Sequence, residues 1–233
     1  MIRESNYQDI LKLLAIIAVV IDHLGLYIFP NILEMRILGR YAFPIFCFFA
    51  GFNFKGRINF KILIYGIALY LVTSYVMRQF LEANILVSIF LGQLYLYLCK
   101  SHIENFPKAY IHFIVIACCW PFTSEIIDYG TLAIAIMILG QIVKQHPQQL
   151  YLMAFATAFI SLLHTVTLYY EDFSITEFAL VLIVACSIYI SLTFNNFYKT
   201  NNLKLVIISN NLMLIYCLQM VIIILIWRYY IIV

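Results

Sequence analysis

VVIDHLGLYIFP, residues 19–30, sets Asp22 beside His23 inside an apolar run that spans residues 9–29. In water such a run would need a large core to bury it. The whole chain argues against that solution. Of its 233 residues 65% are hydrophobic and 11% charged, and the mean hydropathy is +0.97. Globular domains sit near half apolar and a quarter charged, so lipid is the solvent this composition suits. The fold class expected is an all-α integral membrane protein, because only helices and closed barrels satisfy their backbone in lipid and the dyad alternation of barrel strands is missing. No basic run points to nucleic acid. The apolar run at the N-terminus carries Lys12, Asp22 and His23 without a small-residue cleavage pattern, unlike a signal peptide.

Working outward, apolar runs of spanning length fall at roughly 9–29, 37–54, 60–78, 84–99, 109–121, 129–143, 150–168, 177–194 and 204–230. A bundle of about nine transmembrane helices is therefore expected, as a single polytopic domain over residues 1–233. The fifth and sixth runs are short and open to reading as one re-entrant pair. Loop charges favour nine crossings. With the N-terminus cytoplasmic, the inside loops hold Lys55, Arg57, Lys61, Lys100, Lys108, Lys144, Lys199 and Lys204, with Arg3 on the tail. The outside loops hold Arg36, Arg78 and Arg228 together with Glu34, Glu82, Glu125, Asp128, Glu171, Asp172 and Glu177. The excess of basic residues inside predicts a cytoplasmic N-terminus and an extracytoplasmic C-terminus.

Ionisable residues in a spanning helix are costly and usually face a protein interior or a water-filled cavity. Lys12 and His23 are eleven residues apart, three turns plus about 20°, so they share one helix face roughly 16 Å apart. Asp22 points about 100° away from His23 and is set to pair with a neighbouring helix. The second run, ILGRYAFPIFCFFAGFNFK (37–55), supplies Arg40 as that partner and Pro44 as a bend. An Asp22–Arg40 pair is open to reading as a structural clip. His23 is open to reading as a cap at a wet helix end or as a proton-moving group. Gly51-Phe52-Asn53 allows close backbone approach or simple helix packing.

These residues carry a resemblance. DILKLLAIIAVVIDHLG (9–25) followed by LGRYAFPIFCFFAGFNFKG (38–56) resembles the start of the conjugative F-pilin acetylase family, the TraX-like membrane proteins. The match rests on Asp9, Lys12, Asp22 and His23, then Gly39-Arg40, Phe43-Pro44 and Phe46. Beyond residue 55 it thins to islands at Asn84-Ile85-Leu86, Tyr129-Gly130 and Ile215-Tyr216-Cys217, and relatives often have His where this chain has Gln219. More distantly the arrangement is similar to membrane acyltransferases of the acyltransferase-3 type, which usually have Arg where this chain has Lys12. An ammonium meets a phosphate as a point charge, without the bidentate fork.

The resemblance implies an acetyltransferase of the bacterial inner membrane that moves an acetyl group from acetyl-CoA, its co-substrate, to an acceptor amine. The acceptor implied is the N-terminus of a pilin-like subunit, with an envelope glycan as the alternative. Lys12, with Lys55 and Arg57, would then meet the phosphates of CoA. His23 would act as general base, with Asp22 and Arg40 orienting the site, because an ammonium cannot attack a thioester until it loses a proton. Asn84 and Tyr129 are candidates for orienting the substrate, Asn84 equally for an interhelical hydrogen bond. Two readings compete: a proton-coupled transporter using Asp22, His23 and Arg40 as a relay, and a non-catalytic assembly factor. No inverted repeat supports the transporter.

The remaining signals are weaker. His102, His112 and His146 fall in or near cytoplasmic loops and read as solvated. His164 lies near the outer end of the seventh run. Gln93, Gln141, Asn210 and Asn211 suit either a cavity lining or interhelical hydrogen bonds. The six cysteines lie in apolar segments without a C-x-x-C pair, which reads as packing. No metal is expected.

Overall fold

The computed structural model describes residues 5–78, 84–124, 126, 129–167, 175–194, 199–200 and 211–230. The architecture is all-helical apart from a two-residue antiparallel pair, β1 (Ser5–Asn6) with β2 (Lys199–Thr200), in which Ser5 faces Thr200. The helices are α1 (Tyr7–Tyr27), α2 (Leu33–Arg40), α3 (Ala42–Phe52), α4 (Phe60–Met77), α5 (Ile85–Leu98), α6 (Lys100–Ile103), α7 (Phe106–Cys118), α8 (Leu132–Gln145), α9 (Leu150–Thr167), α10 (Ile175–Phe194) and α11 (Leu212–Tyr230). A 3-10 turn, Trp120–Phe122, follows α7.

Among the described residues four helical stretches are long and apolar enough to cross a membrane: Tyr7–Tyr27, Glu34–Phe52, Phe60–Met77 and Leu212–Tyr229. Five further apolar helices are shorter. Of the loop charges read from the sequence, Arg3, Glu82, Glu125, Asp128, Glu171, Asp172 and Lys204 lie outside the described residues, as does Asn210.

The chain packs as two compact units, one drawn from 1–46, 64–81 and 196–233, the other from 47–63 and 82–195. In the first, α1 buries Leu11, Ala15, Ile16, Val19, Asp22 and His23, a stripe at three- and four-residue spacing. Leu14 and Ile17 on its other side stay exposed, as suits a lipid-facing surface. The α1–α2 crossing depends on small residues. A Cβ at Gly25 would lie 2.8 Å from Met35 Cβ, and one at Gly39 would collide with the Cα and Cβ of Asp22. Close backbone approach of this kind drives helix association where lipid offers no hydrophobic gain. The α2–α3 break falls at Tyr41. Pro44 has no N–H to offer the Arg40 carbonyl one turn back, so the ladder cannot run through.

The second unit is knit by α8, the most buried helix. A Cβ at Gly51 would collide with the Met137 carbonyl, and one at Gly140 would lie 2.5 Å from the Phe48 carbonyl oxygen. Of the two readings left open for Gly51, close backbone approach is the one seen, and its partner is α8. On α9 the hydroxyls of Thr157, Ser161 and Thr165 each donate to the carbonyl four residues earlier, at 2.7, 2.6 and 2.9 Å. That satisfies buried hydroxyls without another helix, although Thr157 also reaches Thr193 on α10 at 3.1 Å.

Candidate active site on the first helix

Asp22 and His23 are each 7% exposed, and they serve different partners, as their 100° separation requires. Asp22 turns to α2. Arg36 Nη1 donates to Asp22 Oδ1 at 2.8 Å and to the Asp22 backbone carbonyl at 3.2 Å. Arg40 Nε lies 3.8 Å from the same Oδ1. The Asp22–Arg40 ion pair is thus present, but Arg36 is the closer partner and was assigned by sequence to an outer loop. The missed signal was its spacing: Arg36 and Arg40 stand four apart, on one helix face. Gly39 between them lets α2 settle directly on Asp22.

His23 turns to α11. Its Nδ1 lies 2.8 Å from Gln219 Nε2 and 3.2 Å from Gln219 Oε1, while the same amide nitrogen donates to the Tyr216 carbonyl at 3.1 Å. The Tyr216 ring lies 5.9 Å from the imidazole and the Tyr27 ring 6.4 Å from it. Tyr27 in turn meets Trp227 edge-on at 6.3 Å. The imidazole therefore sits in an aromatic enclosure with Nδ1 held by an amide. Neither Gln219 nor the arginines at Asp22 hold its Nε2. Lys12 lies on the same helix, half-buried, and Asp9 and Gln8 beside it are buried.

The other sequence candidates belong to the second unit. Asn84 Oδ1 accepts from the Leu86 N–H at 3.1 Å and caps α5, which is a helix-terminus role. Tyr129 has φ +62° and Gly130 φ +48°, a left-handed turn that leads into α8. Thr123 closes that turn by accepting from the Thr131 N–H at 2.9 Å. Lys55 and Arg57 are exposed in the loop after α3. Gln93 Oε1 accepts from the Asn59 N–H in that loop at 3.0 Å.

Among the histidines, His102 is exposed, but His112 is only half-exposed. His102 Nδ1 lies 3.1 Å from His112 Nε2, and His112 Nδ1 hydrogen-bonds the Tyr95 hydroxyl. This network was not foreseen in residues read as solvated. His146 is half-buried against Phe106, with ring centroids 5.2 Å apart. His164 is fully buried, edge-on to Tyr189 at 5.8 Å. Among the described residues no group of three or more His, Cys, Asp or Glu side chains is placed to hold a metal.

Comparison with known proteins agrees with the motif. The chain is 41% identical over 226 residues to an uncharacterized protein of Rickettsia prowazekii (strain Madrid E), covering 94% of this chain and 91% of the relative. No solved structure matches it. The family described as TraX protein matches across residues 7–227, a span that takes in both the Asp22–His23 pair and Gln219, and the chain belongs to the TraX family.

Proposed function

We propose that this protein is a membrane acetyltransferase that moves an acetyl group from acetyl-CoA to an acceptor amine, the N-terminus of a pilin-like subunit. The observation that carries this reading is the division of labour on α1, where Arg36 and Arg40 occupy Asp22 while Gln219 holds only one nitrogen of His23. That leaves an imidazole with one face held and Nε2 uncommitted to either, in a mostly apolar setting.

In the proposed reaction the proton of the acceptor ammonium passes to His23 Nε2. The amine lone pair attacks the thioester carbonyl, the nitrogen gives up its second proton to water, the C–S bond breaks and the amide forms. The thiolate of CoA then takes the proton from His23. Atoms and charge balance without a metal or an oxidant. Base action at Nε2 needs the neutral tautomer with its proton on Nδ1, which the Gln219 Oε1 contact accepts. Contact with Gln219 Nε2 instead suits the other tautomer. Lys12, three turns away on the His23 face, meets a phosphate of CoA while the pantetheine arm lies along α1. The proposed setting is the bacterial inner membrane, with about nine crossings, the N-terminus cytoplasmic and the C-terminus extracytoplasmic, as the loop charges favour.

The test is binding and turnover of acetyl-CoA by detergent-purified protein, wild type beside His23→Ala and Lys12→Ala, with free CoA and acetylated acceptor peptide quantified. Loss of binding with Lys12 and of turnover with His23 supports the proposal. Folded wild type that fails to bind acetyl-CoA overturns it and turns attention to proton-coupled transport.

A further inference from the structure

The second unit contains a cavity of ≈ 180 Å³ at the cytoplasmic end of α5 and α8, in the orientation proposed above. Three lysines from three chain segments line it: Lys55 after α3, Lys100 opening α6 and Lys144 in the last turn of α8. Glu104 is the one acid in the lining. It lies 3.7 Å from Lys100, so positive charge is in excess. Lys144 Nζ donates to the Phe54 carbonyl at 3.3 Å. Lys55 has no ion-pair partner among the described residues. Arg57, which the sequence grouped with Lys55, does not line the cavity.

The polar floor is built and already satisfied. Gln141, 4% exposed, donates through Nε2 to the carbonyls of Gly51 and Phe54, and its Oε1 accepts from Gln145 Nε2 at 2.6 Å. Gln93 pins the same loop at Asn59. Lys55 therefore stands on a segment tied at both ends, and the tie at Gln141 exists because Gly51 and Gly140 let α3 and α8 touch. Leu96 and Ile103, both buried, supply an apolar wall. Ammonium groups brought together beside a low-dielectric wall repel one another and concentrate positive potential. An anion relieves that. A solvated basic rim obeying the positive-inside rule needs neither a pinned loop nor a cavity.

We infer that this cavity is a phosphate-binding site, taking either the phosphates of coenzyme A or the headgroup of an anionic lipid. In the first case it rests on the acetyltransferase reading and extends the phosphate contacts from Lys55 to Lys100 and Lys144. In the second it is independent of that reading. Lysines suit the task as point charges that meet a terminal phosphate from several directions.

The test uses the full chain in zwitterionic nanodiscs, as wild type, Lys55→Gln/Lys144→Gln and the charge-retaining Lys55→Arg/Lys144→Arg. Size exclusion and helical circular dichroism establish that each is folded. Calorimetry with inorganic pyrophosphate, coenzyme A and pantetheine, and titration with phosphatidylglycerol nanodiscs, separate the two sources. Expected is pyrophosphate binding weakened about tenfold for each lysine removed and retained in the arginine variant. Weakened coenzyme A binding with pantetheine unmoved assigns the nucleotide; loss confined to phosphatidylglycerol assigns the lipid. A folded glutamine variant that binds every probe like wild type overturns the site. Pyrophosphate binding by a wild type that does not bind acetyl-CoA leaves the site standing and sinks the acetyltransferase reading alone.

Discussion

Gln219 on α11 holds Nδ1 of His23 on α1 across 196 residues of sequence, through an amide whose nitrogen and oxygen both come within 3.2 Å. The amide can present either atom, and the choice decides which imidazole nitrogen carries the proton. Gln219→Leu removes the choice, and acetyl transfer is expected to fall at least tenfold with little change in acetyl-CoA KM. Gln219→Glu offers only acceptors, favours Nδ1–H and stabilises the imidazolium. Its pH–rate profile should lose activity on the acid side at a higher pH than wild type. Identical profiles for wild type and the glutamate variant would show that Gln219 does not act through the imidazole.

Arg36 and Arg40 offer a graded comparison. The shorter contact at 2.8 Å and the added bond to the Asp22 carbonyl belong to Arg36, whereas Arg40 stands at 3.8 Å. Stranding one partner of a buried pair typically costs about 3–5 kcal/mol. Arg36→Ala is expected to lower the thermal midpoint in detergent more than Arg40→Ala, and Asp22→Asn to lower it as Arg36→Ala does. A larger loss at Arg40 would reverse the assignment.

The glycines separate space from backbone conformation. Gly39→Ala drives a methyl group into the backbone of Asp22 and is expected to disrupt the α1–α2 crossing, with loss of folded yield. Gly56→Ala meets open space but keeps φ +73°, so it should cost only about 1–2 kcal/mol. Folded yield and thermal midpoint of the two variants check this directly.

Asn84 distinguishes a cap from a substrate contact. Asn84→Ala is expected to cost about 1 kcal/mol of stability, and Asn84→Asp to restore it, with turnover per folded molecule unchanged in both. A fall in turnover without a fall in stability would return Asn84 to the reaction.

Much of the first unit was legible in the sequence because α1 states its own geometry. Lys12, Asp22 and His23 are fixed relative to one another by 3.6 residues per turn, and polar groups in an apolar run had to find partners. What the sequence could not supply was register between helices. Arg36 looked like a loop charge until Gly39 placed α2 on Asp22, and Gln219 gave no sign of its distance from His23. The lysine cavity was hidden for the same reason. Lys55, Lys100 and Lys144 come together through Gly51, Gly140 and the hydrogen bonds of Gln141, none of which has a periodicity to read. Asn84 reads from sequence as a substrate contact or an interhelical hydrogen bond, and its capping of α5 emerges only from the structure.

The two partners of the Asp22–His23 pair reach it at very different moments of synthesis. Arg36 leaves the ribosome fourteen residues after Asp22, so the buried acid is neutralised almost as soon as α1 and α2 meet in the membrane. Gln219 follows His23 by 196 residues, roughly 10–40 s later at ordinary elongation rates. A nascent chain that has not yet made α11 would thus hold an acid already paired with its arginines and an imidazole still without its amide partner. The helix that holds His23 is thus made long after the helix that carries it.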